Sequence, residues 1–192
     1  MRTAEIKRTT KETDIEVYVN LDGDGRVSVD TGIGFFDHML NSFGVHSGID
    51  LNVVCRGDLN VDGHHSVEDV GIVLGQAFAK ALGDKSGIAR FGSAFVPMDE
   101  ALCFCALDIS GRPFLAFDAE LSDEKIGEFD TCLTEEFFRA FAFNSGITLH
   151  VRKEYGKNDH HIVEAMFKAV ARALKQAVTV TGSDILSTKG VL

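Results

Sequence analysis

One order of residue types occurs twice in this chain of 192 residues, and that duplication restricts the fold more than any other feature. Ser47-Gly-Ile-Asp-Leu-Asn-Val53 returns 98 residues later as Ser145-Gly-Ile-Thr-Leu-His-Val151. The segments 12–23 and 100–111 also align, each with a glutamate that enters a strand and a glycine that ends it. Two copies of one unit therefore cover nearly the whole chain, and two similar halves are expected.

Each half carries two adjacent histidines followed by a glutamate at the same offset. On a helix, residues three and four apart share a face, so the glutamate is predicted to lie beneath both histidines. The apolar residues that follow recur with the helical period. Imidazole and carboxylate groups on one helix face predict half of a divalent-metal site. The two sets are His64, His65 and Glu68, then His160, His161 and Glu164.

An amphipathic helix marked by Phe35, Phe36, Met39, Leu40 and Phe43 precedes the first pair and carries His38, which the repeat aligns with Glu136. Each unit can supply its residue from the preceding helix, His38 or Glu136, together with its own histidine pair and glutamate. The chain would then hold two sites related by a pseudo-twofold axis. Such donors favour Mn, Fe, Co or Zn over Mg or Ca, and the absence of thiolates argues against structural zinc. The candidate ligands are His38, His64, His65, Glu68, Glu136, His160, His161 and Glu164.

Simpler interpretations exist for each residue. A single histidine pair at a helix start is ordinarily a capping or solvent-facing pair, and only the second pair in register favours ligands. His46 and His150 have asparagine at the equivalent positions and are predicted to be hydrogen-bonded or surface residues. Glu12 and Glu100, taken alone, are predicted to be surface charges on strand ends.

The pattern predicts an α+β fold with an internal duplication, in which each unit has a mostly antiparallel sheet packed on two helices. Strands are predicted at 3–10, 13–21, 27–29 and 49–55, and the first histidine helix is predicted to end near Leu82. We expect a first repeat unit at 1–87, a second at 88–182 and a C-terminal phosphate-binding tail at 183–192. The three segments are expected to form one compact, pseudo-symmetric domain.

Charge and composition exclude several classes of partner. The formal net charge of −10 disfavours generic binding to nucleic acid or to an anionic membrane. No run of residues approaches the roughly 18 apolar residues that a membrane helix needs. Four cysteines without a C-x-x-C motif predict reduced, mostly buried thiols in a cytoplasmic protein.

Cations and a hydroxyl group provide candidates for an anion site. Lys168 lies one helical turn after Glu164, whereas its repeat counterpart Ile72 is apolar. Each candidate alone is more typical of a surface residue, but together with a metal face they predict a phosphate clamp. The candidates are Arg90, Arg112, Lys168, Ser187 and Lys189.

The motifs H-H-x-x-E-D and H-H-x-x-E-A, together with Phe36-Asp-His-Met-Leu40 and Ser187-Thr-Lys-Gly-Val-Leu192, closely resemble those of imidazoleglycerol-phosphate dehydratase of histidine biosynthesis. The resemblance covers the whole chain and is to the monofunctional form. It implies a hydro-lyase that converts D-erythro-imidazole glycerol phosphate to imidazole acetol phosphate, with two Mn²⁺ ions in each active site. It also implies a homo-oligomer of twenty-four subunits with active sites shared between neighbours. We add the hypothesis that the metal ions stabilise a bound imidazolate.

The resemblance assigns roles to individual residues. Glu12 is the acid-base group, with His65 and Glu164 in the catalytic set, and the phosphate contacts are the five residues of the predicted clamp. Many members have histidine where this chain has Glu136. A metal-dependent hydrolase and a metal-storage or structural shell are the alternatives: the first would release inorganic phosphate, and the second would have no need for Lys168 or Lys189.

Overall fold

The computed structural model describes residues 1–190. It contains two four-stranded sheets, one in each half of the chain, with the same order of strands. In each sheet two strand pairs are antiparallel and the last pair is parallel. The α+β fold with two similar, mostly antiparallel units is therefore confirmed.

The first half contains β1 (Thr3–Thr9), β2 (Thr13–Asn20), β3 (Val27–Asp30), α1 (Gly34–Ser47), β4 (Asp50–Gly57) and α2 (His64–Leu82). The second half contains β5 (Phe91–Met98), β6 (Ala101–Asp108), β7 (Phe114–Asp118), the short β8 (Lys125–Ile126) and β9 (Phe129–Asp130), α3 (Leu133–Ser145), β10 (Thr148–Tyr155) and α4 (Asp159–Val178). The strand order is β1-β2-β4-β3 in the first sheet and β5-β6-β10-β7 in the second, and β3 with β4 and β7 with β10 are the parallel pairs. The predicted strands of the first half and the end of the first histidine helix agree with these bounds to within two residues.

The repeated Ser-Gly-Ile sequence ends the first helix of each unit. Gly48 and Gly146 stand directly after α1 and α3 with φ angles of 75° and 70°. This left-handed conformation carries no penalty for glycine and allows the chain to leave the helix. The next strand, β4 or β10, begins two residues later in both halves.

The helices lie between the two sheets and pair across the units. Helix α2 packs on the first sheet and against α3, whereas α4 packs on the second sheet and against α1. Buried phenylalanines fill the centre, including Phe137, Phe141 and Phe167. The first helix of each unit therefore contacts the second helix of the other unit, an arrangement that determines which candidate ligands meet.

Alternation along the strands buries one face of each sheet. Cys103 and Cys105 both point into the core from β6, and burial raises the pKa of the Cys103 thiol to about 12. Cys55 is also buried, Cys132 is exposed, and all four are free thiols. Among residues 1–190, no helix combines the length and apolar character needed to cross a membrane.

Candidate functional site

His38, His160 and Glu164 form a cluster where α1 meets α4. The Nε2 atoms of both histidines lie 3.4 Å from Oε2 of Glu164. The ligand atoms of all three residues lie within 4.8 Å of one another. The cluster takes one residue from the first unit and two from the second, whereas the sequence analysis grouped each preceding-helix residue with the histidine pair of its own unit. Packing of α1 against α4 explains the difference.

The donor set of this cluster fits a divalent transition metal. Two ligands at right angles, each about 2.1 Å from an ion, stand about 3 Å apart, which is close to the separations found here. Two imidazole nitrogens and one carboxylate oxygen suit Mn, Fe or Zn. No other trio of histidine, cysteine or acidic residues in the described part of the chain comes as close together.

Lys168 keeps the Glu164 carboxylate ionised. Burial alone would raise the pKa of Glu164, but hydrogen bonds and charge from Lys168 and His38 outweigh it, and the pKa is lowered. The Nζ atom of Lys168 lies 2.6 Å from Oε1 of Glu164, so Oε2 is left facing the histidines. An anionic carboxylate with one oxygen free is what a metal ligand requires.

The two imidazole rings of each histidine pair are nearly perpendicular to each other. The ring planes of His64 and His65 are 89° apart, and those of His160 and His161 are 82° apart. Glu68 lies 3.7 Å from His64, as predicted, but His65 turns away from it. The expectation that one glutamate lies beneath both histidines is therefore wrong, because the carboxylates of Asp58 and Glu100 bind the second histidine of each pair.

The second histidine of each pair is held by a carboxylate. His65 Nδ1 lies 3.1 Å from both oxygens of Asp58, and His161 Nδ1 lies 2.7 Å from Oε2 of Glu100. A carboxylate only accepts hydrogen bonds, so each Nδ1 carries the proton and each Nε2 is left for a metal. These bonds raise the pKa of both histidines. The bond from His161 and those from the backbone N–H groups of Asn158 and Lys157 lower the pKa of Glu100 to about 2.

Sequence reasoning missed the orienting carboxylates Asp58 and Glu100. Glu100 was predicted to be a surface charge, yet its carboxylate accepts three hydrogen bonds. Its alignment with Glu12 was the signal that could have identified it. Asp58 follows β4 in a turn and has no carboxylate at the aligned position of the second unit, so the repeat gave no signal there.

Three further carboxylates, those of Glu136, Glu12 and Asp99, are not part of this cluster. Glu136 lies on α3, the helix that packs against α2, and its carboxylate is 3.8 Å from Nε of Arg139. Glu12 lies 3.9 Å from Nε2 of His65, and its side chain is about half exposed. Asp99 Oδ2 lies 3.7 Å from Nε2 of His161.

The two histidines without a repeat counterpart have different surroundings. His46 is partly buried on the rim of a cleft that also holds His38 and Lys168. Burial lowers the pKa of His46, and the charge of Lys168 adds to the effect. His150 is exposed on β10, where its ring lies 6.4 Å from that of Phe114.

Four of the five predicted phosphate contacts line one cleft of about 680 Å³, which we call the tail cleft. Arg90 holds the tail in place, because its guanidinium pairs with Asp108 and donates to the carbonyl of Leu186 at 2.7 Å. The side chain of Arg112 is 71% exposed, and its Nη2 lies 3.9 Å from Oδ2 of Asp108. Lys168 lies outside the tail cleft, beside the candidate metal-ligand residues His38, His160 and Glu164, which we call the metal cluster. The cleft residues are Arg90, Arg112, Ile185, Leu186, Ser187, Thr188 and Lys189.

The tail cleft and the metal cluster stand far apart in one chain. The backbone N–H of Arg90 donates to the carbonyl of Ala177, 13 residues after Glu164 on α4. At about 1.5 Å per residue, these points on the helix are about 20 Å apart. Val191 and Leu192, the end of the predicted tail, lie outside the described residues.

Comparison with known proteins gives a consistent result along the chain. A family model described as imidazoleglycerol-phosphate dehydratase matches residues 31–174. The protein of that name from Acetivibrio thermocellus is 59% identical over 193 residues, which cover 100% of this chain and 99% of the relative. The one from Listeria welshimeri is 57% identical over 194 residues, with 100% of both chains covered.

Solved structures agree in fold. The imidazoleglycerol-phosphate dehydratase of Staphylococcus aureus matches with a TM-score of 0.85 and 44% identity, covering 93% of this chain and 99% of that chain. The Pyrococcus furiosus protein of the same family matches with a TM-score of 0.85 and 38% identity, covering 97% of this chain and 100% of that chain.

Proposed function

Because the chain belongs to the imidazoleglycerol-phosphate dehydratase family of hydro-lyases, we propose that it dehydrates D-erythro-imidazole glycerol phosphate to imidazole acetol phosphate in histidine biosynthesis. The observation that carries the proposal is the cluster of His38, His160 and Glu164, a preformed set of metal ligands at the junction of the two units. We further propose two Mn²⁺ ions in each active site.

The reaction explains the need for metals. In imidazole acetol phosphate the ketone stands on the second carbon from the ring, so the hydroxyl group that leaves is on the carbon beside the imidazole and the proton is removed from the next carbon, where no carbonyl group makes it acidic. Divalent cations held by the candidate ligands would stabilise the ring as an imidazolate, whose electrons help to expel the hydroxyl group as water. Loss of the proton from the next carbon then returns an electron pair to the ring and gives an enol, which rearranges to the ketone.

Glu12 is the residue that we propose to move the proton. Its carboxylate stands 3.9 Å from Nε2 of His65, the nitrogen that faces away from Asp58, and is about half exposed. This carboxylate makes no hydrogen bond to another residue within 1–190 and stands beside the candidate metal-ligand nitrogen of His65, so it can reach a substrate proton. In this proposal His65 and Glu164 would hold the metal ions at which the imidazole ring of the substrate binds.

The phosphate of the substrate is proposed to bind Arg112, Ser187, Lys189 and Lys168, with Arg90 holding the tail segment. The substrate is far shorter than the roughly 20 Å that separates the tail cleft from Glu164 along α4. One chain therefore cannot offer both parts to one substrate molecule. This supports active sites shared between subunits of a homo-oligomer, which we propose to contain twenty-four chains.

The outer faces of the two sheets support such an assembly. Lys7 and Glu16 form an ion pair of 2.9 Å on the first sheet, and the repeat places Phe95 and Phe104 at the same positions of the second. These two rings are 4.6 Å apart, and Phe95 is 60% exposed. An exposed aromatic patch where the other unit carries charges is typical of a surface that meets another subunit.

We place the enzyme in the cytoplasm. Its four cysteines are unpaired in the described residues, which fits a compartment that keeps thiols reduced. The second and third candidate functions, a metal-dependent hydrolase and a metal-storage shell, have no specific observation in their favour.

A comparison of Glu12→Gln with the parent enzyme tests the proposal. We expect the parent to form the ketone without releasing inorganic phosphate, and Glu12→Gln to lose at least about 100-fold in kcat because a general acid-base group is removed. The control is Glu16→Gln, which removes a nearby carboxylate of β2 and should turn over normally. Near-full turnover by Glu12→Gln would exclude its role, and phosphate release by the parent would indicate a hydrolase.

A further inference from the structure

The two units use different carboxylates to orient equivalent histidines. Glu12 and Glu100 occupy the same position in the repeat, directly before β2 and β6. His65 and His161 are likewise equivalent, each being the second histidine of its pair. Glu100 bonds Nδ1 of His161, whereas Glu12 stands near the opposite nitrogen of His65.

Both carboxylate oxygens of Glu100 accept hydrogen bonds from residues of its own unit. Its Oε1 accepts from the backbone N–H groups of Lys157 and Asn158 at 3.1 and 2.8 Å. Its Oε2 accepts from His161 at 2.7 Å. The residue joins the β5–β6 hairpin to the start of α4, and it fixes the ring of His161 with Nε2 directed outward.

In the first unit it is Asp58 that orients the equivalent histidine, His65. Both of its oxygens lie 3.1 Å from Nδ1 of His65, and its backbone N–H donates to the carbonyl of Glu12 at 3.1 Å. The carboxylate of Glu12 is therefore not needed at Nδ1 and remains beside Nε2.

Close packing explains why the second unit has no carboxylate at the position equivalent to Asp58. The repeat counterpart of Asp58 is Gly156, which has a φ of 145°. A Cβ atom there would lie 2.8 Å from Cβ of Ala101 and 3.0 Å from Cγ1 of Ile162. No side chain fits at this position, so the orienting carboxylate has to come from the hairpin on the other side.

We propose that Asp58 and Glu100 are positioning residues that hold His65 and His161 with a proton on Nδ1 and Nε2 free for a metal, and that Asp58 thereby leaves Glu12 available for proton transfer. The part concerning Glu12 rests on the proposed function. The orienting part concerns metal binding alone and can be measured without substrate.

Glu100→Gln is the most specific test because glutamine has the size of glutamate and can keep most of its hydrogen bonds. The amide oxygen can accept from both backbone N–H groups, which places the NH₂ group against His161 and makes Nδ1 an acceptor. The ring proton then moves to Nε2 and blocks the metal. We expect Mn²⁺ affinity, measured by calorimetry on the metal-depleted full chain, to fall about 10-fold or more.

Two more variants and a control complete the set. Asp58→Ala should weaken Mn²⁺ binding in the same way, whereas Asp58→Asn should retain most of it because its amide oxygen can still face Nδ1. Glu154→Gln removes an exposed carboxylate that pairs with Arg152, so it should bind Mn²⁺ like the parent. Solid-state ¹⁵N spectra of ring-labelled histidine should show proton transfer to Nε2 in Glu100→Gln alone.

The outcomes separate the two proposals. Parent-like Mn²⁺ affinity and an unchanged His161 tautomer in Glu100→Gln would overturn the orienting role, whatever reaction the enzyme catalyses. At saturating Mn²⁺, Glu100→Gln should recover most of its kcat, while Asp58→Ala should not, because Glu12 is drawn to Nδ1 of His65. Equal recovery of both variants would overturn the link to Glu12 and leave the assignment of the reaction untouched.

Discussion

Glu136 holds the position on α3 that His38 holds on α1, so the two halves carry different candidate metal donors at equivalent places. Its carboxylate is 3.8 Å from Arg139, whereas His38 faces Glu164. A carboxylate favours Mn²⁺, and an imidazole favours Zn²⁺. The chain therefore departs from strict pseudo-symmetry at a residue that is predicted to select the metal.

We predict that Glu136→His shifts metal preference toward Zn²⁺ by about 10-fold relative to Mn²⁺, because an anionic oxygen donor is replaced by a neutral nitrogen donor. Competition titrations with the two ions measure the ratio. Glu135→His is the matched control, since Glu135 is the preceding residue of α3 and pairs with Arg139. An unchanged ratio in Glu136→His would remove Glu136 from the ligand set.

Helices α2 and α3 approach each other more closely than side chains allow. A Cβ atom on Gly71 would lie 2.8 Å from Cβ of Ala140 and 2.9 Å from the carbonyl oxygen of Phe137. One turn later, Gly75 would meet Asn144 and Phe141 in the same way. Their counterparts on α4 are Phe167 and Ala171, so only the α2–α3 contact depends on glycine.

Gly71→Ala should therefore destabilise the protein by about 2 kcal/mol, since an added methyl group in a packed core forces the helices apart. Denaturant unfolding monitored by circular dichroism measures this loss. Gly34→Ala provides the contrast: it also lies in a helix, its added Cβ meets nothing within 4 Å, and alanine is the better helix former. Equal stability of the two variants would show that the close approach is not required.

At the scale of the molecule, the two parts that we propose bind one substrate molecule lie at different places on the surface. The metal cluster stands near the start of α4 and the tail cleft at its end, about 20 Å away. A closed assembly of identical chains can bring the cleft of one subunit to the cluster of another, because every copy carries both surfaces.

Two inactive variants should consequently complement each other. Lys189→Ala damages the tail cleft and Glu164→Gln damages the metal cluster, so a mixed oligomer contains some sites built from two intact surfaces. For random mixing of equal amounts, roughly a quarter of the sites are intact. Dissociation, mixing and reassembly followed by an activity assay tests this, and activity no higher than the sum of the separate variants would indicate that sites are not shared.

The sequence alone was sufficient for the features that depend on local pattern. Alternation predicted the strands, the helical period predicted α2 to its end at Leu82, and the repeated Ser-Gly-Ile predicted matching units. The types of ligand were also evident, because imidazole and carboxylate groups at fixed offsets occur in both halves. Neighbouring residues determine these features, so no tertiary contact is needed to foresee them.

Tertiary structure decided which of those residues meet. His38 joins His160 and Glu164 because α1 packs against α4 of the other unit, and sequence spacing within one unit contains no such information. The different contacts of Glu12 and Glu100 also depend on packing, since Gly156 leaves no room for a second Asp58. Duplicated sequences share their local preferences, whereas the space around each side chain is set by the whole fold.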